Sequence, residues 1–290
     1  MFDLNIQLGL PEDAKLLIIH ADDAGLSHSE NLATMQCLER GYVNSCSVMV
    51  TCPWFFEMTN YLNVNSHFDH GIHLTLTCEW HNFKFGPVLP AKDVPSLVDD
   101  KGYFFANRNT LLKNARVEEV RLEITAQIER GLYFGLKPSH LDSHMYSLGI
   151  SQEIFQVYKE MGKKYKLPTL LNGRLLSEIS GLNPERELSS EDFVIPHIHY
   201  GNFESFSQNK LTEYYSEVLQ NLQPGLHMIL IHPAFDDLEM QGITKDHPNF
   251  GSAWRQVDTD FFSSEICGEI LKKNKIELIT WKQIGQFLYP

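Results

Sequence analysis

A chain of 290 residues with 43% hydrophobic side chains can bury a large core, and length alone admits one large domain or two modest ones. Its 37 acids against 24 bases, a net charge of −13, argue against nucleic-acid or anionic-membrane partners, which require clustered Lys and Arg. Five cysteines without CxxC spacing, and an opening segment "MFDLNIQLGLPEDAK" with neither a basic leader nor a long apolar run, predict a reduced cytoplasmic protein.

The predicted elements alternate. "LLIIH" (Leu16 to His20) reads as a buried strand, followed by a helix with Leu32, Met35 and Leu38 at helical spacing and Gly41 as its stop. "SCSVMVT" is a second strand, "PWFFEMTNYL" a helix opened by Pro53, and "HGIHLTL" a third strand. A helix spans Arg116 to Gly135, "PSHLDSH" forms a short strand, and Gln152 to Lys166 is helical, with Lys163, Lys164 and Lys166 at its solvated end. "LPTLLN" and "EDFVIPH" are candidate strands. The helix "KLTEYYSEVLQNL", the strand "GLHMILIHP", the helix "DFFSSEICGEILKKN", the strand "IELIT" and the helix "WKQIGQFL" complete the chain. This alternation implies a parallel sheet with crossover helices, expected as one closed or nearly closed β/α barrel over residues 1–290. An open doubly wound sheet is the runner-up, but neither GxGxxG nor GxxxxGK[ST] is present. Two irregular segments, about 78–115 and 235–254, follow strands and are expected to rise over the catalytic face.

Chemistry-bearing residues gather at strand ends. His20, Asp22 and Asp23 close the first strand and His73 lies in the third; His140, Asp142 and His144 follow in "PSHLDSH", and His232 ends the late strand. Singly, each has an ordinary reading: a lone histidine is most often a satisfied core or surface residue, and "ADD" suits a helix N-cap. Jointly, carboxylate and imidazoles arriving from separate strands form a first-row divalent-metal constellation, in which one acid ligates while its neighbour stays free. A metal there polarises a carbonyl and acidifies water, the free carboxylate acts as base, and a histidine protonates the departing amine. No GxSxG elbow offers a nucleophilic alternative, and Cys46 and Cys52 read as small core residues.

"HADDAGLS", "NSCSVMV", "GIHLTLT", "KPSHLDSHMYS" and "LIHPA", in that order, resemble the YdjC-like carbohydrate deacetylase family, which includes chitooligosaccharide deacetylases. The resemblance implies a distorted (β/α) barrel, one divalent cation with magnesium or zinc foremost, removal of acetyl groups from N-acetylated amino sugars, and a homodimer. It further implies Asp23, His73 and His144 as metal ligands and Asp22 as catalytic base, with His232 matching the late histidine and taking the acid role. His140 is either a ligand or an outer donor, and Asp142 either orients an imidazole or forms a turn. Trp80, Phe83 and Phe85 either stack on sugar rings or pack the insertion, and Arg255 either bonds a site carboxylate, with Asp22 the expected partner, or forms a surface salt bridge. Ala24 stands where the family commonly has an aromatic residue, and Met145, Tyr146 and Ser147 where it usually continues with histidines, so the pocket is expected to differ. A non-catalytic glycan-binding protein on this scaffold and a metal phosphoesterase are the alternatives.

Overall fold

The computed structural model describes residues 4–290; Met1, Phe2 and Asp3, which begin the segment read above as leaderless, lie outside them. Seven strands pair in parallel: β1 (Lys15–Ala24), β2 (Ser45–Val48), β3 (His70–Leu74), β4 (Leu141–Ser143), β5 (His197–Tyr200), β6 (Gly225–Ile231) and β7 (Ile276–Leu278). Their order is β4-β3-β2-β1-β6-β5, with β7 also on β1. β1 is central because its apolar run suits a strand covered on both faces: every residue from Leu16 to Ala24 is buried. β6 pairs along β1 from Lys15 to Ala21. The other edge of β1 is divided, with β7 pairing Lys15 to Leu17 and β2 pairing from His20 onward.

The result is a distorted (β/α) barrel whose irregular side lies between β4 and β5. There the segment "LPTLLN" makes a single bridge, Thr169 to Leu141, and "EDFVIPH" is not a strand; β5 begins only at His197. Pro168 and Pro196 remove ladder donors from these two segments, which accounts for the difference from expectation. Backbone bonds from Leu141 N to Pro168 O, Leu170 N to Leu141 O and Ile195 N to Leu171 O, each 2.9 Å, join the two sides across the gap.

The first crossover helix, His28–Arg40, starts at Ser27, whose Oγ accepts from Glu30 N, and stops at Gly41, which adopts the left-handed conformation with φ 79°. It faces the core with Ala33, Cys37 and Leu38, while Leu32 is exposed. Near the C-terminus the helix read across Asp260 to Asn274 is two helices, Ser252–Phe262 and Glu265–Lys273. Ser264 interrupts them by capping the second, its Oγ accepting from Cys267 N. All five cysteines are free and buried. Among the described residues no helix is long and apolar enough to cross a membrane.

The segment after β3 is ordered by acids of the Val117–Tyr133 helix. Buried Glu123 accepts from Val88 N at 2.8 Å and Leu89 N at 3.1 Å, and Glu119 accepts from Ser96 N at 2.7 Å. The later irregular segment contains a short helix, Leu238–Ile243, capped by Asp237, and runs into the Ser252–Phe262 helix.

Candidate metal centre and catalytic cleft

Adjacent residues in a regular strand point to opposite faces. Asp22 and Asp23 nevertheless both line one cleft, of about 320 Å³, at the C-terminal ends of the strands. The cause is a kink: Asp23 sits in the left-handed region with φ 65°, and the β1–β2 register shifts between Ala21 and Ala24. A short polar side chain tolerates that conformation better than a branched one. The helix cap is Ser27, so neither acid is engaged as an N-cap.

Asp23 Oδ1 lies 3.0 Å from His144 Nδ1 and 3.3 Å from His73 Nε2, bringing together three donor atoms from β1, β3 and the turn after β4. Each member is held from behind. His73 Nδ1 donates to Asp142 Oδ1 at 2.8 Å, a bond between cross-strand neighbours of β3 and β4. His144 Nε2 donates to Glu79 Oε2 at 3.0 Å. Arg255 donates to Asp23 Oδ2 at 2.9 Å and also to Glu30. Outer partners of this kind fix ligand orientation in metal sites. His144 reaches the cleft because Met145 and Tyr146 both take left-handed backbone, φ 51° and 52°, turning the chain sharply after β4. Arg108 steadies that turn by donating to Met145 O at 2.9 Å.

Burial alone would lower the affinity of His144 for a proton, but Glu79 and Asp23 outweigh it and raise its pKa to about 9. His73 is likewise buried, and Asp142 and Asp22 raise it well above the ordinary value. Burial would raise Asp23, yet the charges of His144 and Arg255 hold it well below the usual carboxylate range. The ion-free cluster thus gathers positive charge as protons on two imidazoles, and a divalent ion displaces such protons when it binds. An Asp oxygen and two imidazole nitrogens, each with its other atom already satisfied, fit a zinc- or magnesium-sized cation.

Asp22 completes the floor. Its Oδ1 is buried 3.2 Å from His20 Nε2, and its Oδ2 lies 3.6 Å from His232 Nε2. His232 follows β6; its backbone N donates to Asp258 at 2.9 Å, and its ring meets Phe250 edge-on. Burial pushes the His232 imidazole down to about 4.

Several expectations change. Arg255 is fully buried and bonds Asp23, not Asp22, because the kink turns Asp23 toward the Ser252–Phe262 helix. His140 stays apart from the Asp23, His73 and His144 group: its Nδ1 meets Ser139 Oγ at 2.9 Å, and its ring stacks on Trp281. Asp142 orients imidazoles, two of them, and is not a turn former. Trp80 lines the cleft but is 1% exposed, wedged between His247 and the Arg255 guanidinium, so it serves as packing. Phe85 is also buried and meets Phe83 edge-on. Ala24 is buried beside Val48 and does not line the cleft, whereas Met145 and Tyr146 do.

The sequence reading assigned no role to His20, Glu30, Glu79 or Arg108. Glu30 had one signal, the S-x-x-E pattern of a capping box, but its carboxylate turns to Arg255. Arg108 borders the cleft, and among the described residues no carboxylate forms an ion pair with it.

Fold and centre place the chain among parallel β/α-barrel proteins with a carboxylate-and-imidazole cluster at the C-terminal strand ends. More particularly, it belongs to the YdjC-like protein family, which matches residues 16–273. It is 26% identical over 267 residues to a carbohydrate deacetylase of Thermoanaerobacter pseudethanolicus, covering 92% of this chain and 98% of that one. A chitooligosaccharide deacetylase of Proteus mirabilis is 28% identical over 235 residues, covering 77% of this chain and 83% of that one. A crystal structure of an Enterococcus faecalis protein superposes with a TM-score of 0.77 at 26% identity, covering 93% of this chain and 99% of that one.

Proposed function

We propose that the protein hydrolyses the acetamide of N-acetylated amino sugars or their oligosaccharides, chitooligosaccharides among them, with one divalent ion, magnesium or zinc, held by Asp23, His73 and His144. The observation that carries this reading is the convergence of those three donors beside a second carboxylate, Asp22, on one cleft. Deacetylase relatives across the chain support the substrate class.

Bound there, the ion supplies a Lewis acid beside the amide carbonyl. Asp22 takes a proton from the water whose oxygen attacks the carbonyl carbon. His232 starts as a neutral imidazole, since its pKa is about 4, and so must receive a proton before it can give one. Asp22 Oδ2, 3.6 Å from His232 Nε2, is the group that delivers it. The C–N bond then breaks, His232 protonates the departing amine, and acetate leaves. Arg255 keeps Asp23 oriented, while Phe250 and Trp80 limit water around the reacting centre.

The test is acetate release from acetylated chitooligosaccharides before and after chelation. Activity should vanish with chelator and return with zinc or magnesium, and Asp22→Asn should bind the ion without turnover. Full activity in Asp22→Asn would remove Asp22 as the base. A metal phosphoesterase is the second reading, favoured by Arg108 at the cleft, whose guanidinium meets no carboxylate among the described residues, and phosphate esters belong in the same assay.

A further inference from the structure

Behind the cleft floor, His20 is fully buried and does not border the cleft. Its Nε2 lies 2.8 Å from Asp142 Oδ2, 3.1 Å from Ser47 Oγ and 3.2 Å from Asp22 Oδ1, and its Nδ1 lies 3.0 Å from Ser45 Oγ. Another titratable neighbour is His140, whose ring stands edge-on with centroids 5.0 Å apart. The two oxygens of Asp142 serve different imidazoles: Oδ1 accepts from His73 and Oδ2 from His20. Asp22 Oδ1 lacks a hydrogen bond, so its contact with His20 is one of charge and position.

We propose that His20 is a positioning residue for Asp22: its imidazolium, clamped by Ser45 and Asp142, pins the buried oxygen of Asp22 and leaves the other oxygen to the cleft. The inference rests on the roles given above to Asp22 and the divalent ion. The anchoring of the ring supports it: Nδ1 is engaged by Ser45 Oγ and Nε2 by Asp142 Oδ2, so the ring is held facing Asp22 from both nitrogens. Burial would lower His20, but the hydrogen bond to Asp142 and the charges of Asp142 and Asp22 outweigh it and raise its pKa to about 9. His20, His140 and Asp142 also have the spacing of a cation site. Zinc stoichiometry separates a cation there from a proton on His20.

Nitrogen-15 NMR of the zinc-loaded protein near neutral pH reads the charge directly. Both ring nitrogens of His20 should be protonated; a neutral ring, or two zinc ions per chain with one lost in His20→Asn, overturns the proposal. His20→Asn should lower kcat about 10- to 100-fold, the usual effect of removing an outer partner, with KM and zinc affinity changed by less than about threefold. Unchanged kcat, or loss of zinc in step with activity, would also overturn it. Wild-type protein that binds zinc but releases no acetate would refute the deacetylase reading instead, and the NMR result separates the two failures.

Discussion

Replacing Asp142 by Asn probes the centre from behind without replacing a proposed ligand. Asp142 is 1% exposed and accepts two N–H groups, from His73 Nδ1 and His20 Nε2, each at 2.8 Å. Asparagine keeps one acceptor oxygen and places an N–H group against the other donor. An unsatisfied buried group costs about 1–3 kcal/mol. Where that cost falls on His73, ion affinity should drop about 10- to 100-fold, the range seen for lost outer partners. In free energy that is about 1.4–2.8 kcal/mol. Chelator-competition titration of zinc measures it, and thermal unfolding of the ion-free variant shows whether the fold survives. Zinc affinity within about twofold of wild type in a folded Asp142→Asn protein would refute the idea that Asp142 braces the ligand set.

Arg255→Met should leave Asp23 and Glu30 buried without their guanidinium and cost about 3–5 kcal/mol, measurable by denaturant unfolding; a surface-like loss under about 1 kcal/mol would contradict the buried ion pair. Gly71→Ala places a Cβ 2.5 Å from the His140 ring and should destabilise by about 1–3 kcal/mol in the same assay. A separate pH effect arises at β5 and β6, where His199 Nε2 lies 3.0 Å from His227 Nδ1. Burial, reinforced by neighbouring positive charge, pushes both histidines down to about 4, whereas the unfolded chain titrates them near 6.5. Unfolded protein therefore binds more protons between these values, and stability present above about pH 6.5 should fall as pH drops toward 4. Melting temperature against pH should show this slope, and His227→Gln should flatten it.

What was legible in the sequence followed from local chemistry. The uninterrupted apolar run Leu16 to Ile19 announces a strand buried on both faces, and Gly41 marks the stop of the following helix, whereas its N-cap is Ser27 and not the aspartates. The donor types at the strand ends were also visible, because parallel strands bring those ends to one rim. Pairings over long sequence separations were not. His20 meets Asp142 across 122 positions, and no period or spacing encodes that contact. Arg255 was matched to the wrong aspartate because a one-residue kink decides which of two adjacent acids faces it. β5, reading "HIHY", lacks an apolar run and owes its strand to pairing with β6.

The Arg255 guanidinium group does more than neutralise Asp23. Its Nε donates to Phe250 O at 2.8 Å, and Phe250 lies against His232 over the cleft. One side chain therefore fastens the roof of the cleft to the floor. For anyone exchanging the 235–254 segment between relatives to alter substrate range, the safe splice point lies before Phe250. A graft cut inside Phe250 to Arg255 would loosen Asp23, the proposed ion ligand, while seeming to change only a surface loop.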